Sequence, residues 1–100
     1  MVLASGVELP QDRIAEICRR YGVRELCVFG SALRQGMTPS DVDILVEFSP
    51  EVRVGIAGFA RLNDELQLAI GRTVDLATKG GLKPWVRSSV LQEARRIYAA

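Results

Sequence analysis

Asp41 and Asp43 interrupt an otherwise apolar run over residues 41–46, which has the composition of a buried β-strand. Side chains alternate along a strand, so both aspartates point to one face, with their Cα atoms about 6.6 Å apart. Burying a carboxylate among apolar side chains costs several kcal/mol unless a partner compensates its charge. The pair therefore requires a fold that brings a cation to this face, which points to metal-dependent chemistry on a phosphate.

Helical and extended patterns alternate along the chain and predict a single α/β domain over residues 1–100, with a small central sheet of at most four strands flanked by helices. The link between the first two strands is too short for a crossover, so we expect them to pair antiparallel. The predicted helices are 10–21, 56–70 and 84–98, and the predicted strands are 26–29, 41–48 and 73–77. The last helix is predicted to turn these residues toward the core: Trp85, Val86, Val90, Leu91, Ala94 and Tyr98.

The composition excludes several kinds of site. The chain has no histidine, which rules out a Ser-His-Asp triad, a Cys-His pair and any zinc site that includes histidine. Cys18 and Cys27 are predicted to pack as small apolar residues. The net charge of +1 gives no strong field for nucleic acid or membrane, and no apolar run has the length of a membrane span. With no signal-peptide pattern at the start, we expect a cytoplasmic protein.

Two further features complete a candidate site. Asp75 lies in the third predicted strand, and three carboxylates meet if that strand lies beside the second. Gly30 and Ser31 follow the first strand, where a glycine lets the backbone approach a ligand and the next turn aims N–H groups at an anion. Ser31 is predicted to cap this turn and to offer its hydroxyl to a phosphate. Arg34 either reaches a phosphate or is a solvated loop residue.

The order of these motifs resembles that of the minimal nucleotidyltransferases of the DNA polymerase β superfamily. Their signature is Gly-Ser, a loop and Asp-x-Asp, which this chain matches with FGSALR at 29–34 and SDVDILVEF at 40–48. The likeness continues through GRTVDL at 71–76, where the family carries its third carboxylate, and through GLKP at 81–84 into the last helix. It covers roughly residues 24–98.

The resemblance implies a nucleotidyltransferase core with a mixed sheet. It implies that Asp41 and Asp43 hold Mg²⁺, with Asp75 as the third carboxylate, either a ligand or a general base. It also implies ATP as substrate and transfer of AMP to a hydroxyl with release of pyrophosphate. Several relatives are antitoxins that silence a partner HEPN toxin by adding AMP to one of its tyrosines.

Three functions stay open at this point. The first is a Mg²⁺-dependent adenylyltransferase acting on a protein partner, and the second is an antitoxin that neutralises its toxin by binding alone. The third is a nucleotide-binding regulatory subunit of a larger transferase. No membrane and no direct nucleic-acid contact is expected, and a homodimer is compatible with so small a domain.

Overall fold

A four-stranded mixed sheet organises the computed structural model, which describes residues 1–36 and 38–100. The predicted α/β architecture is confirmed. Met37, which belongs to the predicted link between the first two strands, lies outside the described residues. The helices and strands are α1 (Gln11–Tyr21), β1 (Val23–Phe29), β2 (Asp41–Phe48), α2 (Gly55–Ile70), β3 (Thr73–Thr78), α3 (Pro84–Glu93) and β4 (Arg95–Ala99), with a short 3₁₀ turn at Gly30–Leu33.

The strands are ordered β3-β2-β1-β4 across the sheet. β1 pairs antiparallel with β2, as predicted from their short connection, and antiparallel with β4 on its other side. β2 and β3 are parallel, because α2 carries the chain back across the sheet between them. The sheet is therefore mixed, and the connection through α2 makes β2 and β3 neighbours.

Glycine ends both of the longer helices. Gly22 follows α1 and Gly71 follows α2, with φ of 69° and 76°. Both lie in the left-handed region, which a residue without Cβ adopts at no steric cost. These two glycines let the chain turn directly from each helix into a strand.

One face of the sheet carries the main core. It packs against α1 and α2, whose buried residues Ile14, Leu62 and Leu66 meet Ile44 of β2 and Val74 of β3. The sequence analysis assigned no structure to residues 1–9, yet this segment joins the same core. It forms a bridge between Val2 and Glu8 and buries three apolar residues: Leu3, Val7 and Leu9.

A smaller cluster covers the opposite face, where Cys27 and Leu45 pack against Val90 of α3. Both cysteines are buried and free, which confirms the prediction that they pack as apolar residues. Burial raises the pKa of the Cys18 thiol to about 12 and that of Cys27 to about 11. Neither thiol is therefore a ready nucleophile at neutral pH.

The predicted helix 84–98 is wrong beyond residue 93. Ala94 leaves the helical conformation (φ −57°, ψ 133°), and the chain continues as β4, which completes the sheet along the free edge of β1. An extended segment beside an unpaired strand edge gains a ladder of backbone hydrogen bonds that a helix there would not supply. Arg95 and Arg96 are exposed residues of this strand.

The predicted core face of the last helix is wrong for three of its six residues. Val90 is buried and Ala94 packs against the same small cluster, but Trp85, Val86 and Leu91 are exposed, Trp85 to 75%. The reason is that α3 rests on the sheet only around Val90, since the cluster beneath it is small. Tyr98 does pack against the main core, but from β4.

No helix within residues 1–36 and 38–100 has the length and apolar character of a membrane span.

Candidate active site

The register of β2 and β3 brings two of the predicted aspartates side by side. Asp43 pairs with Asp75 across the parallel strands, and Asp41 pairs with Thr73. Neighbouring strands lie about 4.8 Å apart, so residues in register share one face at close range. On the other side of β2, Asp43 is opposite Phe29, the last residue of β1. The three carboxylates therefore gather on one face, beside the turn that follows β1.

The electrostatics of Asp43 reflect this crowding. Partial burial, followed by the negative charges of Asp75, Asp41 and Glu93, raises the pKa of the Asp43 carboxyl above its ordinary value of 3.8. Each factor disfavours the ionised form. Asp41 and Asp75 themselves are exposed to solvent. The site is thus a concentration of negative charge that a bound cation would relieve.

The donor set suits magnesium more than a metal held by protein alone. Among residues 1–36 and 38–100, no three His, Cys, Asp or Glu side chains are placed so that together they could hold a metal ion. Magnesium is usually bound through one or two carboxylates together with substrate phosphates and water. Asp41 and Asp43, two carboxylates on one strand facing an open cleft, fit that kind of binding.

Gly30 lies close to Asp43. Its φ of +76° lies in the left-handed region, and a Cβ added to it would stand 2.5 Å from Oδ2 of Asp43. A side chain at this position would therefore displace the Asp43 carboxylate. Glycine is favoured here both by backbone conformation and by the close approach of the turn to Asp43.

The prediction that Ser31 caps the turn is wrong. The 3₁₀ turn begins at Gly30, so the residue in the N-cap position is Phe29 and not Ser31; the turn closes when the N–H of Arg34 donates to the carbonyl of Ser31 at 3.1 Å. Ser31 instead lines a cleft that contains Asp41 and Asp43. The cleft has a volume of about 710 Å³ and these lining residues: Ser31, Arg34, Gln35, Thr38, Pro39, Ser40, Asp41 and Asp43. A cleft of this size accommodates a ligand as large as a nucleotide.

Glu93, the last residue of α3, is a member of this site that the sequence analysis missed. Its Oε1 accepts a hydrogen bond from the Gly30 N–H at 2.9 Å, and its Oε2 lies 3.3 Å from Nη2 of Arg34. The Arg34 guanidinium, for which a phosphate or solvent were the alternatives, thus pairs with this carboxylate. A glutamate in a helix gives no signal of such a role, because the contact depends on where α3 ends.

The fold and the acidic face define a nucleotidyltransferase. The sequence matches the family described as Nucleotidyltransferase domain over residues 12–98, and the chain belongs to that family. The Gly-Ser and Asp-x-Asp motifs and the strand that carries Asp75 all lie within the matched range. The predicted family is therefore confirmed.

Similar proteins show which kinds of nucleotidyltransferase this chain resembles. The chain is 42% identical over 79 residues to the protein adenylyltransferase MntA of Thermococcus cleftensis, covering 78% of each protein. It is similar to a solved candidate minimal nucleotidyltransferase (34% identity, TM-score 0.69, 85% of this chain and 86% of that one). It also shares its fold with one chain in a solved complex of a tri-AMPylated HEPN toxin and MNT antitoxin from Shewanella oneidensis (18% identity, TM-score 0.64). The match covers 90% of this chain and 70% of that one.

Proposed function

We propose that this protein is an antitoxin that transfers AMP from ATP to a hydroxyl group of a partner HEPN toxin, with tyrosine as the expected acceptor, in a Mg²⁺-dependent reaction. The observation that carries the proposal is the pairing of Asp43 with Asp75 beside the Gly30 turn, with Asp41 on the same face. Two carboxylates for a cation, Asp41 and Asp43, then line one cleft together with Ser31 and Arg34, which offer a hydroxyl and a guanidinium to an anion. That is the combination which transfer from a nucleoside triphosphate requires.

In this proposal Asp41 and Asp43 hold Mg²⁺, and Asp75 serves as a third ligand or as general base. Bound Mg²⁺ would neutralise charge on the triphosphate and orient it for in-line displacement. Through that ion Asp41 and Asp43 would hold the nucleotide over β2, while Gly30, Ser31 and Arg34 bind its phosphates. The acceptor oxygen forms a bond to the α-phosphorus, the bond from that phosphorus to the bridging oxygen breaks, and pyrophosphate leaves. The acceptor proton passes to Asp75 or to water.

A protein acceptor is supported by two kinds of observation. The adenylyltransferase name of the Thermococcus relative and the AMPylated toxin in the Shewanella complex describe a protein substrate for those proteins. In this chain, the described residues form one small sheet with its helices, and α3 presents apolar side chains to solvent, including Trp85. We therefore expect surfaces of the partner as well as of this domain to position the acceptor.

The test is a transfer assay with ATP labelled in the α-phosphate, Mg²⁺ and, as the candidate HEPN partner, the product of the neighbouring reading frame. We expect label on the neighbour, and loss of at least about 10²-fold in rate for Asp41→Ala or Asp43→Ala, because even outer-shell partners of a metal cost 10- to 100-fold. Asp64→Asn is the matched control, since Asp64 lies on α2, on the other face of the sheet. Toxin neutralisation that survives both alanine substitutions without any label would support binding alone instead.

A further inference from the structure

The Gly30 turn binds an anion that belongs to the protein itself. The Gly30 N–H donates to one oxygen of Glu93 at 2.9 Å, and Arg34 approaches the other oxygen at 3.3 Å. Both donors are groups to which the proposed function assigns the phosphates of ATP. A carboxylate with two acceptor oxygens occupies the same kind of position that two oxygens of a phosphate would take.

The sheet register explains how Glu93 reaches this turn. Val28 of β1 pairs with Arg95 of the antiparallel strand β4. The ladder ends at this pair, two residues before Gly30 on one chain segment and two residues after Glu93 on the other, so β4 holds the end of α3 near the Gly30 turn. The contact is therefore built into the pairing of the two strands and the end of α3, rather than arising from a long side chain that meets the turn by chance.

We propose that Glu93 is a displaceable carboxylate that occupies the phosphate-binding groups Gly30 and Arg34 in the free protein and is expelled when a nucleotide triphosphate binds. This inference rests on the proposed function, because it takes the turn at Gly30 to be the phosphate site. Glu93 then lowers the affinity for ATP, since one N–H and one guanidinium edge cannot serve two anions at full strength. It also keeps the donors paired in the absence of nucleotide.

The size of the effect follows from the exposure of the contact. The Arg34 and Glu93 side chains are 66% and 36% exposed, so solvent screens much of their attraction. The bond from the Gly30 N–H to a charged acceptor adds to it. We expect removal of the competing carboxylate to tighten Mg·ATP binding by roughly 2- to 5-fold in Kd.

The experiment compares three variants with the wild-type chain by calorimetric titration of Mg·ATP. Glu93→Gln removes the charge and keeps the shape, whereas Glu93→Asp keeps the charge but shortens the side chain by one methylene, so that it withdraws from Gly30. Glu47→Gln is the matched control: it removes the same charge from β2, where Glu47 pairs with Lys79 and Arg24. Thermal melts establish that each variant is folded.

We expect both Glu93 variants to bind Mg·ATP more tightly than the wild type and Glu47→Gln to bind as the wild type does. Tighter binding by Glu93→Gln alone, or equal tightening by Glu47→Gln, would overturn the inference in favour of a simple charge effect. Unchanged or weaker binding by both Glu93 variants would overturn it as well, while leaving the proposed function intact. Absence of Mg·ATP binding in every protein would instead refute the proposed function, and the inference with it.

Discussion

Replacing Asp43 by asparagine is expected to stabilise the metal-free protein while removing its transfer activity. The substitution keeps the size of the side chain and removes one negative charge from a crowded face. In the wild type that charge is disfavoured by partial burial and by Asp75, Asp41 and Glu93, which together raise the pKa of Asp43. Because this charge destabilises the fold, the presence of Asp43 is better explained by a role in function than by a role in folding.

The expected gain can be worked from the strand pairing. Asp43 and Asp75 are in register on neighbouring strands, and two unit charges about 5 Å apart repel by about 0.8 kcal/mol in water and about 3 kcal/mol at a dielectric constant of about 20. Asp41 and Asp75 are exposed, so solvent screening favours the lower value. We therefore expect Asp43→Asn to add about 0.5–1 kcal/mol to the free energy of unfolding. For a domain of this size that raises Tm by about 2–8 °C.

The pH dependence gives the same prediction a second readout. Because the folded-state pKa of Asp43 is raised, the native protein holds this proton more tightly than the unfolded chain does. The destabilisation is complete at neutral pH and disappears as pH falls through the raised pKa toward the ordinary value of 3.8. The stability difference between Asp43→Asn and wild type should therefore be largest at neutral pH and shrink on acidification.

The assay is thermal and urea unfolding of both proteins, with metal chelated, from pH 7 down to pH 4. Asp64→Asn, a charge removal on the exposed surface of α2, serves as the control and should change Tm little. A lower Tm for Asp43→Asn at neutral pH, or a difference from wild type that does not depend on pH, would refute the electrostatic reasoning. Retention of full transfer activity would refute the metal role of Asp43 independently.

Two further predictions concern the same face. Mg²⁺ with ATP should raise the Tm of the wild type, because they bind the folded state. Differential scanning calorimetry of Asp43→Asn should show a much smaller increase in Tm. Equal increases in both proteins would argue against binding at this site. Gly30→Ala should cost about 1–3 kcal/mol in urea unfolding and abolish transfer, because the new Cβ meets Asp43 at a positive φ. Gly80→Ala, where an added Cβ meets nothing within 4 Å, should leave stability and transfer nearly unchanged. Near-wild-type stability of Gly30→Ala would contradict the close approach of Gly30 to Asp43.

Much of the fold could be predicted because its signals are local. The glycines at 22 and 71 mark helix ends through backbone conformation, and the short link between β1 and β2 requires them to run antiparallel. The adjacency of Asp43 and Asp75 was only permitted by the sequence. It depends on which edge of β2 receives β3 after α2, and that choice is made by packing of the whole sheet.

The structure of residues 84–98 could not be predicted from local signals in the same way. Apolar residues in 84–98 recur at spacings that a helix would place on one face, and nothing local marks the break at Ala94. The competing structure, β4, is stabilised by hydrogen bonds to the free edge of β1, which is distant in sequence. A pattern confined to one segment cannot report the availability of that edge.

The same break accounts for the residue that the sequence analysis missed. If the helix had continued to residue 98, Glu93 would lie within it and its position would not be tied to β1. Because β4 begins at Arg95 and pairs with β1, Glu93 is held at the junction where α3 ends, beside the first residue of the Gly30 turn. The misplaced helix end and the missed carboxylate are thus one error. The strand that completes the sheet also sets an acidic group on the groups proposed to bind phosphate.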